Sequence, residues 1–139
     1  MTLKEKSKAH VKTRAARKQE TTDDYLEAIA EVIDSTGVCR SADLVKRFAV
    51  SHVTVHKIID RLRDASLVEG EPYRPITLTA EGQEIARQSK ARHEIVYNFL
   101  VAIGLDNATA TVDSEGIEHH VSPKTLDLLK VMTQKLSAA

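Results

Sequence analysis

The stretch Glu115-Gly116-Ile117-Glu118-His119-His120 sets two carboxylates and an imidazole, those of Glu115, Glu118 and His119, at positions i, i+3 and i+4. On a helix that spacing brings all three to one face, an arrangement suited to holding a divalent cation. Two other elements offer donors of similar hardness: His93, in Arg92-His93-Glu94, and the i, i+3 acidic pair Asp24 and Glu27. Four carboxylates and two imidazoles are enough for one ion, or for a pair of divalent ions bridged by carboxylate and neutralised by the acids. Ligation rich in oxygen, containing imidazole and lacking thiolate favours manganese or iron(II) over soft metals. Cys39 is the single cysteine, so neither an intrachain disulfide nor a thiolate zinc site can form. Each piece also has a plainer reading. Acids in a first helical turn answer the helix dipole, a lone His often sits at the surface, and an acid-and-His cluster also makes a solvated helix face.

The elements that must position these groups are legible from periodicity. Thr22 as a cap, acids in the first turn, Leu26, Ile29 and Ile33 at helical spacing and Gly37 as a stop describe a first helix. A second runs from Ser41, as N-cap, to about Ala49, burying Leu44, Val45 and Phe48; a third runs from about Val53 to Ala65, burying Val55, Ile58, Ile59 and Leu62. Leu67 to Thr79 holds two short β-prone pieces around a tip containing Gly70, Pro72 and Pro75, the pattern of a hairpin. Thr79 then caps a long helix through Ile85, Val96, Phe99 and Leu100 that stops at Gly104. A helix around 107–119 follows. A last one opens at Ser122-Pro123, with Ser as N-cap and Pro at the first helical position, and carries the stripe Leu126, Leu129, Met132 and Leu136.

Two short helices joined by Val50-Ser51-His52 and followed directly by a hairpin describe a winged helix-turn-helix, which lays its second helix in the DNA major groove. With the apolar stripe of that helix inward, Thr54, Lys57 and Arg61 face outward, and Ser51, His52 and Val53 stand at its entrance. These residues can reach base edges and phosphates. Arg40 and Ser41 lie at the start of the preceding helix, Lys46, Arg47 and Arg63 add positive charge nearby, and Tyr73 and Arg74 at the hairpin tip can touch the adjacent backbone.

Net charge is zero over 139 residues, but its parts differ. Residues 1–19 hold Lys4, Lys6, Lys8, Lys12, Arg14, Arg17 and Lys18 against Glu5 alone, whereas residues 106–118 hold Asp106, Asp113, Glu115 and Glu118 with no Lys or Arg. One end suits phosphate and the other a cation. Residues 1–20 lack strong periodicity and read as a mobile basic arm, a solvated tail or a source of non-specific phosphate attraction. Residues 21–79 form the DNA-binding domain and 80–139 a helical domain. With 42% hydrophobic and 29% charged residues the chain is expected to be globular. Its longest apolar run, Phe99 to Ile103, is far below the roughly 20 residues of a membrane span, and no apolar signal core opens it. A cytoplasmic protein without membrane contact is therefore expected.

The order Asp24-Tyr25-Leu26-Glu27, winged helix, Arg92-His93-Glu94 and Glu115-Gly116-Ile117-Glu118-His119-His120 resembles the manganese branch of the diphtheria-toxin-repressor family of metalloregulators, over residues 21–136. The resemblance implies a mainly α fold: a winged helix-turn-helix DNA-binding domain followed by an all-helical metal-binding and dimerisation domain. It implies a homodimer on a palindromic double-stranded operator, repression of manganese uptake genes, and two manganese ions held by Asp24, Glu27, His93, Glu115, Glu118 and His119. Iron-responsive members of that family carry methionine at the position of Asp24 and cysteine at that of Glu118, so both carboxylates here point to manganese, with iron(II) as the alternative. Members with an additional SH3-like domain are longer than this chain. No enzymatic activity is expected, because no nucleophile, zincin pattern or substrate loop accompanies the donors; a dinuclear metallohydrolase and a metal-independent winged-helix regulator are the competing readings.

Overall fold

The computed structural model describes residues 1–138, with residues 9–14 described in backbone alone. Contacts divide the chain into two compact units, Met1–Ser89 and Lys90–Ala139. The elements are α1 (Leu3–Thr36), α2 (Ser41–Phe48), α3 (His52–Asp64), β1 (Val68–Glu69), β2 (Thr77–Leu78), α4 (Ala80–Ala102), α5 (Asn107–Ile117) and α6 (Pro123–Ala138). The division falls within α4.

The largest departure from the periodicity is the start of α1. The helix begins at Leu3 rather than Thr22, capped by Thr2, whose hydroxyl accepts the Glu5 N–H while the Glu5 carboxylate takes the Thr2 N–H at 2.6 Å. That reciprocal pair satisfies orphan backbone donors at the helix start, and it holds the Glu5 carboxyl below its usual pKa. Residues 3–20, to which the periodicity assigned no fold, thus have helical backbone; Lys12 and Arg14 lie outside the residues whose side chains are described. Thr22 sits inside the helix, its hydroxyl turned back to the Lys18 carbonyl. The far end matches expectation: Gly37, at φ 86°, closes α1 in the left-handed region that glycine occupies without strain.

The first unit is built on the apolar faces of α1, α2 and α3. Leu26, Ile29, Leu44, Val55, Ile59 and Leu62 are buried together with Val68 and Ile76 of the hairpin region, and Tyr25 stacks on Phe48 at 4.2 Å between ring centroids. Ile58 is only partly buried against this core. The N-cap of α2 is Arg40, not Ser41: its backbone N–H is taken by the Asp43 carboxylate at 2.8 Å. Between α2 and α3 runs Ala49-Val50-Ser51, with Ala49 left-handed at φ 52° and the Ser51 hydroxyl accepting the Thr54 N–H.

The wing is short. β1 and β2 pair antiparallel, Val68 with Leu78 and Glu69 with Thr77, and Cys39 bridges to Ile76. Its tip is tied to the end of α3 by Arg63, whose Nε donates to the Gly70 carbonyl at 2.8 Å. Thr79 caps α4 as expected, accepting the Gly82 N–H.

In the second unit Val96, Leu100 and Ala110 are buried, with Tyr97, Phe99, Leu105, Val121, Leu126 and Leu129 packed around them. Asp106 caps α5 by accepting the Thr109 N–H, which lowers its carboxyl pKa, and Ser122 accepts the Thr125 N–H ahead of α6. Of the stripe expected on α6, Leu126 and Leu129 reach this core, whereas Met132 and Leu136 are exposed in the single chain. Among the described residues no helix is long and apolar enough to cross a membrane.

Candidate functional site

On the first unit, α3 presents Ser51, His52, Val53 and Lys57 to solvent, Val53 at 63% exposure, with Thr54 half-buried beside them. An apolar side chain so exposed on a helix entrance is free for contact with a partner surface. Arg61 is half-buried, its guanidinium donating to the Thr22 hydroxyl at 3.2 Å, so it ties α3 to α1 as well as lying on the outer part of the helix. Tyr73 is 88% exposed at the wing tip in a left-handed conformation, φ 65°, which is strained for a tyrosine and keeps its ring displayed. Arg40, Ser41, Ala42, His52, His56, Tyr73 and Arg74 line one pocket of about 290 Å³ between the start of α2, α3 and the wing. His56 was missed by sequence reasoning: its ring stands 6.5 Å from that of His52 and 5.8 Å from that of Tyr73. Its position four residues after His52 on one helix was the available signal.

The first unit also holds the acidic pair of α1. Glu27 accepts a hydrogen bond at 2.7 Å from the hydroxyl of Ser89, a residue 1% exposed on α4. Asp24 and Glu27 are both half-buried, unlike acids that merely solvate a first turn, and the long α1 leaves neither of them in its first turn. The dipole explanation therefore does not apply to them. Ser89 too was missed, although it precedes His93 by four residues on the same helix.

On the second unit, His93 Nδ1 lies 2.9 Å from Glu118 Oε2, and His119 Nε2 lies 3.3 Å from Glu118 Oε1. The Glu118 residue is 1% exposed. A carboxylate removed from water this completely requires charged or hydrogen-bonding partners. The motif is not a continuous helical face: α5 ends at Ile117, Glu118 is its C-cap with right-handed helical dihedrals, and His119 lies past it. Glu115, in the last turn of α5, is exposed. His93, Glu118 and His119 are thus brought together in this unit, and the imidazole and carboxylate donors fit a borderline divalent cation.

The fold agrees with the comparisons to known proteins. Residues 19–76 match the N-terminal DNA binding domain of the iron dependent repressors, and residues 79–138 match their metal binding and dimerisation domain. The chain belongs to the iron-dependent repressor family. Among relatives, the transcriptional regulator MntR of Escherichia coli is 44% identical over 90% of this chain and 81% of its own length. The HTH-type transcriptional regulator MntR of Bacillus subtilis is 34% identical over 81% of this chain and 79% of its own.

Among solved structures, a manganese-dependent transcriptional repressor in complex with manganese superposes with a TM-score of 0.74 at 26% identity, over 81% of this chain. The manganese regulator SloR superposes at 0.71 with 22% identity, a likeness of fold. The chain spans about half the length of these two structures, 52% and 53%. As a member of the family it is a metal-responsive, DNA-binding transcriptional regulator: α2, α3 and the wing lie in the matched DNA-binding domain, and His93, Glu115, Glu118 and His119 in the matched metal-binding and dimerisation domain.

Proposed function

We propose that this family member is a manganese-activated repressor of manganese uptake genes, acting in the cytoplasm as a homodimer on a palindromic operator. The observation that carries the metal half is the buried Glu118 carboxylate between His93 and His119, inside the stretch matched to the family's metal-binding domain. Manganese rather than another ion is supported by the relatives named MntR and by carboxylates at Asp24 and Glu118.

We assign Asp24, Glu27, His93, Glu115, Glu118 and His119 as ligands of two manganese ions. When bound, the metal supplies positive charge that neutralises the carboxylates. Without it, Glu115 and Glu118 repel each other within the second unit, as Asp24 and Glu27 do on α1. Metal binding then restricts the spacing at which two copies of α3 meet DNA. Arg40, Ser41, Ser51, His52, Val53, Thr54, Lys57, Arg61, Tyr73 and Arg74 form the DNA-facing set, α3 in the major groove and the wing on the backbone. Metal and operator then reinforce each other, because coupling between sites is reciprocal.

The family's description by iron supports one competing reading, an iron(II)-responsive regulator. Operator selection from a random duplex pool, followed by anaerobic binding titrations with manganese, iron(II), zinc and chelator, tests both. Binding at least about tenfold tighter with manganese than with chelator is expected. An equal or stronger response to iron(II) overturns the manganese assignment, and full-affinity binding in chelator overturns metal activation.

A further inference from the structure

The N-terminal part of α1 lies largely outside the matched DNA-binding domain, which begins at residue 19, yet it is continuous with it. At about 100° per residue, Leu26, Ile29 and Ile33 form the stripe of α1 that packs on the core, and Thr22 falls on the same stripe. Projected back along the helix, that stripe carries Lys4, Lys8 and Lys18, within an arc of roughly 80°, with Val11 and Ala15 between them. The side of α1 that is apolar where it meets the core carries three lysines before it and no acid. Lys6 and Arg17 fall on the opposite side.

Three observations point this stripe at DNA. Thr22, in line with it, receives the Arg61 guanidinium of α3, so the cationic stripe emerges on the side of α1 that faces the helix assigned to the major groove. Lys4, Lys8 and Lys18 are exposed and make no ion pair among the described residues, whereas Arg47, Arg63 and Arg87 are paired with Glu31, Asp60 and Glu84. Residues 3–22 span roughly 30 Å of helix, close to the rise of one turn of duplex.

We propose that the Lys4, Lys8 and Lys18 stripe of α1 is a second, sequence-independent phosphate-binding surface that engages duplex backbone beside the α3 contact. It rests on the DNA-binding assignment of residues 19–76. Its effect is on affinity and salt dependence, not on base choice, since phosphate contacts carry no direct sequence information.

The test is fluorescence anisotropy of the manganese-loaded chain on a random-sequence duplex of about 40 base pairs, several helical turns, across a series of KCl concentrations. The wild type is compared with a stripe variant (Lys4→Gln, Lys8→Gln, Lys18→Gln), an opposite-face variant (Lys6→Gln, Arg17→Gln) and a charge-retaining variant (Lys4→Arg, Lys8→Arg, Lys18→Arg). The slope of log K against log salt is expected to flatten by up to about 2.7 in the stripe variant, about 0.9 per phosphate, and to hold in the charge-retaining one. The opposite-face variant should lose less than about one unit. An unchanged slope in the stripe variant, or equal losses from both faces, overturns the proposal. So does a stripe variant that alters only the sedimentation-derived oligomeric state, which would assign the stripe to a second copy. Loss of all duplex binding by the wild type itself would instead strike the DNA-binding assignment beneath it.

Discussion

His93 on α4 and Glu118 at the C-cap of α5, 25 residues apart in sequence, lie with Nδ1 and Oε2 at 2.9 Å. Glu118 is buried, so its charge depends on what surrounds it, and His93 is the nearer of the two imidazoles beside it. A metal ion held by both side chains would take over that role. His93→Ala removes one donor and leaves the carboxylate with a weaker set of neighbours. Manganese affinity in a calorimetric titration is expected to fall by at least about tenfold, and the metal-free protein to lose about 1–3 kcal/mol in urea unfolding. A manganese affinity within about threefold of wild type would remove His93 from the ligand set.

With Glu27 proposed as a ligand, Ser89 is expected to act as a positioning residue. Its hydroxyl is buried and donates to Glu27 at 2.7 Å, which fixes the direction in which that carboxylate presents its lone pairs. Ser89→Ala should weaken manganese binding by about 10–100-fold while changing the stability of the metal-free fold by only about 1 kcal/mol. Ser89→Thr, which keeps the hydroxyl, should recover most of the affinity. Equal affinities for wild type and Ser89→Ala would show that Glu27 needs no such support.

Most of the fold was legible because the helices of the first unit combine apolar faces with strong start and stop signals: Gly37 and Thr79 each close or open an element where expected, and Ser51 caps α3 one residue ahead of the expected start near Val53. The start of α1 was not, because the sequence of residues 3–20 holds few large apolar residues and so little period to detect; a local capping box at Thr2 and Glu5 starts the helix instead. Arg40 was hidden as N-cap of α2 because the stabilising side chain is that of Asp43, three residues on, rather than its own. For the candidate metal residues, residue type and spacing nominated the groups. The contact of His93 with Glu118 is a tertiary fact, invisible in the interval between them. The exposed Met132 and Leu136 mark where an apolar stripe exceeds what one chain's core covers, in the domain matched to dimerisation.

On the proposed DNA-facing surface of α3, Lys57 and Arg61 are expected to separate DNA contact from fold support. Lys57 is exposed, whereas Arg61 is half-buried and holds α1 through Thr22. Lys57→Ala should leave stability within about 0.5 kcal/mol and flatten the salt slope of DNA binding by about one unit. Arg61→Ala should in addition cost about 0.5–1.5 kcal/mol in urea unfolding, from the lost hydrogen bond. If both variants unfold at the wild-type midpoint, the Arg61–Thr22 contact contributes nothing in solution.

Cys39 is buried at the bridge to Ile76, and burial, aided by the nearby Asp43 charge, pushes its thiol up to about 11. At pH 8 on the order of one molecule in a thousand then carries thiolate, so labelling of the native protein by iodoacetamide should be far slower than that of the urea-unfolded chain. The sign of the linkage follows. The folded pKa lies above the ordinary value of 9.0, so the unfolded chain sheds the proton first, and stability falls as pH rises from about 9 toward 11. Native labelling at the unfolded rate would show that the thiol is neither buried nor raised.

Gly82 and Gly116 both lie inside helices, yet replacing them should have opposite effects. In an unobstructed helix, glycine costs about 0.5–1 kcal/mol relative to alanine, so Gly116→Ala, with nothing within 4 Å of the added Cβ, should stabilise α5 by that amount. At Gly82 the added Cβ would stand 2.1 Å from the Leu67 carbonyl oxygen, a backbone atom that also accepts from the Thr79 N–H. Neither group can swing aside without moving the start of α4 away from the wing. The cost of such overpacking, about 1–3 kcal/mol, exceeds the propensity gain, so Gly82→Ala should lower the urea midpoint and weaken DNA binding through a displaced wing. A midpoint raised equally by both substitutions would mean that α4 does not approach Leu67 so closely.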